Sequence, residues 1–149
     1  MVVASTRAAT GQYPDKTGPV IAEWLGTRGF RVEEPIVVPD GDAVGEAIRS
    51  ALGVSLVITT GGTGLSPTDA TPEQTAALLD YQIPGLADAI RRSGLPAVPT
   101  SILSRGVCGV AGGTLVVNLP GSTGGVRDGL AVLGDVLDHA LDQIGGGDH

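Results

Sequence analysis

Residues 59–73 read TTGGTGLSPTDATPE and constrain the fold more than any other part of the chain. They follow an aliphatic run over residues 54–58, and three glycines within four positions allow tight turns and a close approach of ligand to backbone. Thr71 is a suitable N-cap, Pro72 suits the first helical position, and Gln74 completes a capping box of the Thr-x-x-Gln type. The pattern predicts a strand, a glycine turn, a short polar loop and a helix, as in an anion site at the edge of an α/β sheet.

Short apolar runs alternate with amphipathic helical segments along the whole chain. The predicted strands are residues 2–5, 31–38, 54–59, 102–110 and 114–119, and the predicted helices are residues 19–28, 44–52, 72–80, 86–94 and a long final helix from Thr123. Ala111-Gly112-Gly113 should join the last two strands as a hairpin. This order predicts a three-layer α/β/α fold with a mostly parallel sheet and one antiparallel hairpin strand. We expect residues 1–149 to form a single domain, with residues 145–149 as a frayed tail.

Charge and composition exclude several classes of partner and site. A formal net charge of −7 without a basic stripe argues against nucleic-acid binding. The chain has no charged-then-apolar leader and no apolar run long enough to span a membrane, so we expect a cytoplasmic protein without membrane association. The single cysteine, Cys108, excludes an internal disulfide framework and is expected to be a small buried side chain. With only His139 and His149, neither a histidine metal cluster nor a Cys–His nucleophile pair is credible.

Ligands of such sheets bind outside the carboxyl ends of the strands. The rule predicts that four loops lie at one edge of the sheet: residues 5–18, 39–42, 61–71 and 120–122. If the strand that ends at Leu119 is parallel, its hairpin partner is antiparallel and begins at the same edge with Ser104-Arg105. Glycine-loop amides, with Arg7 or Arg105, can bind phosphate oxygens. Asp40 and Asp69 are carboxylates that can hold Mg²⁺ between those oxygens. The collected groups suit phosphoryl or nucleotidyl transfer, which depends mainly on positioning and charge neutralisation.

Each of these residues taken alone also has a simpler interpretation. Glycines and prolines between a strand and a helix can form a plain turn, Asp69 can polarise a helix start, and Asp40 can serve a turn. Arg7 and Arg105 can be surface charges. Two common nucleotide motifs are absent, because no Gly-Lys-Ser/Thr follows the glycines and because Pro67 stands where a dinucleotide fingerprint needs its third small residue. The shared crevice is what favours a functional role for the aspartates.

Residues 59–73 resemble the signature of the molybdopterin-binding domain of molybdenum cofactor biosynthesis, with its Thr-Gly-Gly-Thr-Gly and Asp-x-Thr-Pro-Glu halves. The similarity extends over nearly the whole chain. It includes Ser5-x-Arg7, Gly11, Asp15 and Gly18 in the first loop, Val38-Pro39-Asp40 in the second, Pro84-Gly85, Pro99, Ser101 and Leu103-Ser104-Arg105 in the middle region, and Asn118-Leu119-Pro120-Gly121-Ser122 in the last loop. The chain departs from the family at Thr6, where Asp is common, and at Thr123, where Pro is common.

The resemblance implies a trimeric molybdopterin adenylyltransferase that transfers AMP from ATP to molybdopterin with Mg²⁺. The products would be adenylyl-molybdopterin and pyrophosphate, without a protein nucleophile, and a molybdenum-insertion protein would be a partner. By the same resemblance, Asp40 and Asp69 would be the catalytic and Mg²⁺-binding residues. The residues that would bind molybdopterin or ATP are Ser5, Arg7, Gly61, Gly62, Thr63, Gly64, Thr71, Ser104, Arg105, Pro120, Gly121 and Ser122.

Two other functions compete with the enzyme. A non-catalytic molybdopterin carrier or scaffold would have the same fold, but it has less need of a second carboxylate, so the presence of both Asp40 and Asp69 favours the enzyme. A generic nucleotide-binding α/β domain is disfavoured by the two absent motifs.

Overall fold

Short aliphatic strands build a six-stranded sheet in the computed structural model, which describes residues 1–147. The strands are β1 (Val2–Ala4), β2 (Ile36–Val38), β3 (Leu56–Thr60), β4 (Tyr81–Gln82), β5 (Cys108–Ala111) and β6 (Thr114–Leu119). The helices are α1 (Thr6–Ala9), α2 (Thr17–Thr27), α3 (Asp42–Ala51), α4 (Thr71–Ala76), α5 (Pro84–Arg92) and α6 (Thr123–Ile144), with a 3₁₀ helix over Pro99–Leu103. Helix α6 ends before the predicted tail, of which residues 148 and 149 lie outside the described residues.

The strand order is β2-β1-β3-β6-β5-β4. β2, β1, β3 and β6 pair in parallel, whereas β5 is antiparallel to both β6 and β4. The register aligns Thr59 with Asn118 and Thr60 with Leu119, so β3 and β6 end side by side. The predicted α/β class, the mostly parallel sheet and the hairpin through Gly112 and Gly113 are confirmed.

Alternate residues of the strands face two apolar layers. Ile58, Leu115 and Val117 pack with α2, α5 and α6, whereas Val57 and Val116 pack with α3 on the other face. Because both faces of a largely parallel sheet are covered, aliphatic residues fill the middle of its central strands, and the polar residues of these strands lie towards their ends. The predicted three layers are therefore present, with an almost purely aliphatic core.

Several predicted boundaries were wrong at the edges of the sheet. Strand β2 contains three residues rather than the predicted 31–38, since β1 offers only three partners and Pro35 cannot donate a backbone hydrogen bond. Strand β5 begins at Cys108, not at residue 102. The two-residue edge strand β4 was not predicted, because Tyr81 and Gln82 form an exposed pair without a sequence pattern of their own.

The predicted capping box of α4 is also wrong. Ala70 occupies the N-cap position, and Thr71 is already helical. The Gln74 amide reaches Asp42 on α3 at 3.2 Å instead of turning back to its own helix start. A tertiary contact therefore takes the Gln74 side chain that the local pattern had assigned to capping.

A buried polar group lies beneath the carboxyl ends of the central strands. Asn118 of β6 donates from Nδ2 to Thr59 Oγ1 at 2.9 Å and to Thr75 Oγ1 at 3.0 Å. Its Oδ1 accepts the backbone N–H of Val107 at 3.1 Å. One side chain thus connects β6 with β3, α4 and the segment that enters β5.

Cys108 is buried in β5, as predicted, and 1% of its surface is exposed. Burial raises the pKa of its thiol to about 12. We expect the native protein at pH 8 to resist thiol reagents and to take up one label per chain only after unfolding in urea, because the thiolate is the reactive form. The unfolded thiol ionises at a lower pH, so this group should also reduce stability as pH rises above about 9. Rapid labelling of the folded protein would contradict this expectation.

No helix among residues 1–147 is long and apolar enough to cross a membrane.

Candidate functional site

The loops that follow β1, β2, β3 and β6 meet at one edge of the sheet, as predicted. Ser5 N–H donates to Val38 O at 2.9 Å, which joins the first two loops. Gly61 N–H donates to Leu119 O at 3.1 Å, and Thr60 Oγ1 donates to Pro120 O at 2.7 Å. Backbone and side-chain hydrogen bonds therefore hold the strand ends together independently of any ligand.

Two cavities open at this edge, with volumes of about 590 and 570 Å³. The first cavity reaches the 3₁₀ helix and α5 and includes Ile90, Val98 and Leu103 among its mostly apolar lining. The second cavity is bordered by the first loop and carries the cations Arg7 and Lys16. Four residues line both cavities and form the wall between them: Gly62, Asp69, Gly121 and Ser122. The two spaces are thus adjacent but chemically different.

Gly62 lies where the side chains of Thr71 and Asp40 converge. A Cβ atom at this position would come within 3.0 Å of both Thr71 Oγ1 and Asp40 Oδ1. The Thr71 hydroxyl is buried and has no hydrogen-bond partner among the described residues. Only glycine leaves room for this approach, so the second glycine of the loop has a steric role.

Asp69 is held by the loop that it terminates. Its Oδ2 accepts the N–H of Gly64 at 3.0 Å, while its own N–H donates to Ser66 O at 2.9 Å. A Cβ atom at Gly64 would lie 2.8 Å from the same carboxylate oxygen. The glycine loop therefore presents the carboxylate to the wall between the cavities.

Asp40 lines only the second cavity. Its Oδ2 accepts the Thr6 hydroxyl at 3.1 Å and the Thr6 N–H at 3.4 Å, and Thr6 Oγ1 accepts the Asp40 N–H at 3.2 Å. Thr6 thus supplies donors to Asp40, whereas an aspartate at this position would add a second negative charge.

The first loop contains a short helix that the sequence did not predict. Ser5 caps this helix, α1, because its Oγ accepts the Ala8 N–H at 3.2 Å. The Arg7 guanidinium lies 5.0 Å from the centre of the Tyr13 ring, and both side chains line the second cavity. Asp15 accepts the N–H groups of Thr17 and Gly18 at the start of α2.

Ser104 and Arg105 reach this edge, but in different ways. Ser104 lines the first cavity together with Pro120, Gly121 and Ser122. The Arg105 side chain turns instead to the glycine loop and forms an ion pair with Glu73. Their hydrogen bond is the main reason that the pKa of Glu73 is lowered.

A protein-family model described as "Probable molybdopterin binding domain" matches residues 1–139. The chain belongs to the molybdopterin-binding domain family. The resemblance found in the sequence is thereby confirmed.

Two relatives are matched over most of their own length. The solved structure of the molybdopterin biosynthesis Mog protein from Mycobacterium ulcerans is 70% identical, with a TM-score of 0.93 over 96% of this chain and 95% of that one. The molybdopterin adenylyltransferase of Escherichia coli K12 is 37% identical over 95% of this chain and 77% of its own length.

Other relatives are longer. The molybdenum cofactor biosynthesis bifunctional protein of Synechococcus elongatus is 37% identical over 100% of this chain, which spans 48% of that protein. The chain therefore spans about half the length of this curated relative.

The carboxylates of this molybdopterin-binding domain suit a metal ion whose remaining ligands come from the substrate. Residues 1–147 contain no cluster of three or more His, Cys, Asp or Glu side chains that could hold a metal. Asp40 and Asp69 nevertheless line the same second cavity, and each uses only its Oδ2 in the hydrogen bonds described above. Mg²⁺ is commonly bound by one or two carboxylates together with phosphate oxygens and water. The donor set thus fits Mg²⁺ with a phosphate substrate.

Sequence reasoning missed several residues that line the cavities of this molybdopterin-binding domain. Arg91 of α5 lines the first cavity, and its Nη1 donates to Gly106 O at 2.8 Å. Gly124 and Gly125 line it at the start of α6, where Ser122 Oγ accepts the Gly125 N–H at 3.1 Å. The signal for the glycines was present, since they follow a Ser N-cap at a strand end. Arg91 gave no comparable signal, because it lies among other charges of an amphipathic helix.

Proposed function

We propose that this chain is a molybdopterin adenylyltransferase. In this reaction an oxygen of the terminal phosphate of molybdopterin attacks the α-phosphorus of ATP. A new P–O bond forms, the bond from the α-phosphorus to the oxygen that bridges to the β-phosphate breaks, and pyrophosphate leaves with that oxygen. The products are adenylyl-molybdopterin and pyrophosphate. Curated relatives named molybdopterin adenylyltransferase support an enzyme of this class.

The observation that carries the proposal is the position of Asp69 on the wall between two cavities. Transfer between two substrates requires their reacting atoms to meet, and a common wall lets ligands in the two cavities approach each other there. Gly62, Gly121 and Ser122 form the rest of this wall, so a phosphate at the junction would encounter mainly small residues. A carrier of a single ligand has no need for a carboxylate between two cavities.

The residues around the wall supply binding and orientation. Backbone amides of the glycine loop and of the start of α6 can donate to phosphate oxygens, and Arg7 and Lys16 add positive charge in the second cavity. Asp40 and Asp69 would hold Mg²⁺, which when bound supplies neutralisation of the phosphate charges. No nucleophilic side chain is required, because the attacking oxygen belongs to the substrate.

The test is an assay of purified protein with molybdopterin and MgATP. We expect pyrophosphate and adenylyl-molybdopterin to form in equal amounts, and neither to form when molybdopterin is omitted. Binding of molybdopterin without either product would identify a carrier or scaffold instead. Release of pyrophosphate without molybdopterin would indicate a hydrolase and contradict the proposal.

We further propose that the protein is a cytoplasmic homotrimer whose product passes to a molybdenum-insertion protein. These proposals rest on family resemblance. Light scattering should give three times the mass of the chain, and a monomer mass would contradict the trimer.

A further inference from the structure

Arg105 uses every nitrogen of its guanidinium group to hold the segment around the glycine loop. Nε donates to Gly64 O at 2.9 Å, Nη2 donates to Asp69 O at 2.9 Å, and Nη1 donates to the carboxylate of Glu73. Its backbone N–H also donates to Thr63 O at 2.7 Å. Arg105 itself lines neither of the two cavities. Its contacts therefore point to the loop and not to a ligand.

The loop that Arg105 holds has few other supports. Leu65 is 65% exposed, and residues 65–68 all lie at the surface. Gly64 and Asp69 are the two ends of this exposed stretch, and Arg105 bridges their carbonyl groups with one rigid planar group. Because the Gly64 N–H also binds Asp69 Oδ2, the guanidinium sets the spacing of the two residues that fix this carboxylate.

We propose that Arg105 is a positioning residue that holds the Asp69 carboxylate at the wall between the cavities, with Glu73 holding the guanidinium in place. The inference rests on the proposed function. It replaces the expectation that Arg105 binds phosphate, because its positive charge is paired with Glu73, each of its three nitrogens donates to the protein, and it lines neither cavity. Mutation of supporting groups of this kind typically lowers activity or metal affinity by about 10–100-fold.

Substitution of Glu73 distinguishes two possible roles of Arg105, phosphate binding and positioning of Asp69. Its side chain is 59% exposed and lines neither cavity, and its pKa is lowered chiefly by the hydrogen bond from Arg105. If Arg105 bound phosphate, removing the competing Glu73 charge would free the guanidinium and tighten ATP binding. If Arg105 positions Asp69, the same change loosens the support and lowers turnover.

The kinetic test compares Arg105→Lys and Glu73→Gln with Arg28→Lys. Arg28 is a matched control, because it has a similarly exposed side chain, donates to the carbonyl of Gly134, pairs with Asp138 and lines neither cavity. We expect kcat to fall about 10-fold in Arg105→Lys and in the same direction in Glu73→Gln, with KM for ATP changed by less than about twofold. Arg28→Lys should retain wild-type constants. A raised KM for ATP with unchanged kcat, or tighter ATP binding in Glu73→Gln, would overturn the proposal.

A second measurement does not depend on the reaction. The amide of Gly64, which donates to the Asp69 carboxylate, can be followed by NMR in labelled protein without substrates. Arg105→Lys should raise its hydrogen-exchange rate about 10-fold, as expected for a loop whose opening costs less free energy, and shift its resonance, whereas Arg28→Lys should change neither. An unchanged Gly64 amide in folded Arg105→Lys protein would overturn the positioning role. Absence of adenylylation by the wild-type enzyme would refute only the proposed function, since the amide measurement stands without it.

Discussion

Replacing Asp69 with asparagine is expected to lower kcat about 100-fold while the fold stays intact. Asparagine keeps an oxygen that can accept the Gly64 N–H, so the loop geometry should survive. It removes the negative charge at the wall between the cavities, where a metal ion and phosphate oxygens would meet. Asp40→Asn should act similarly, because Asp40 faces the second cavity and its contacts with Thr6 do not require the charge. Steady-state kinetics and thermal melting would measure both effects.

The control for these variants is Asp138→Asn, which removes one negative charge from an exposed side chain of α6. It should leave kcat unchanged, so that a loss in the other two variants cannot be attributed to net charge. Titration of each variant with Mg²⁺ adds a direct comparison, since loss of a ligand should raise the concentration needed for half-maximal activity. Wild-type activity in both Asp69→Asn and Asp40→Asn would refute the assignment of a metal site to these carboxylates.

Gly61→Ala is expected to destabilise the protein by about 3 kcal/mol. Gly61 has a φ of +88°, which strains any residue with a side chain, and a Cβ atom there would meet the backbone oxygen of Ala4 at under 3.0 Å. That oxygen belongs to β1 and cannot move aside as a flexible side chain could. For a chain of this size, the loss corresponds to a fall of about 10 °C in Tm. Urea unfolding of wild type and variant would measure the change in the free energy of unfolding.

Gly26→Ala serves as its control. Gly26 lies within α2, has an ordinary helical backbone, and a Cβ atom there would contact nothing within 4 Å. The same substitution should therefore stabilise the protein by about 0.5–1 kcal/mol, because alanine favours the helix. Equal stability of the two variants would show that the backbone at Gly61 tolerates a side chain.

Regular apolar patterns explain why most of the fold was predictable. The stripe of α6 and the aliphatic runs of β3 and β6 depend on burial, which the sequence displays directly. The errors occur where a distant partner decides the structure. Tyr81 and Gln82 pair with β5, and Gln74 binds Asp42. No local pattern contains these partners.

The candidate site was predictable as a location because parallel strands end at one edge. Asp40, Asp69 and Ser122 were all placed there from strand order alone, and the structure brings them to the same cavity. The direction of a long side chain was not predictable in the same way. Arg105 lies beside the glycine loop as expected, yet its guanidinium donates to the carbonyl groups of Gly64 and Asp69, which lie within its reach.

The hydrogen bonds of Asn118 distinguish the native register of β3 and β6 from registers that are shifted by one residue. Aliphatic side chains are poor at this task, since Leu, Ile and Val can replace one another against a similar partner. A slip of β6 by one residue along β3 would turn Asn118 to the opposite layer and leave Thr59, Thr75 and the Val107 amide without their partner. The free-energy cost of these unsatisfied polar groups is present only in the misaligned sheet and not in the native one. Asn118 therefore favours the native register of β3 and β6. The same register determines how the loops after these two strands are positioned relative to each other.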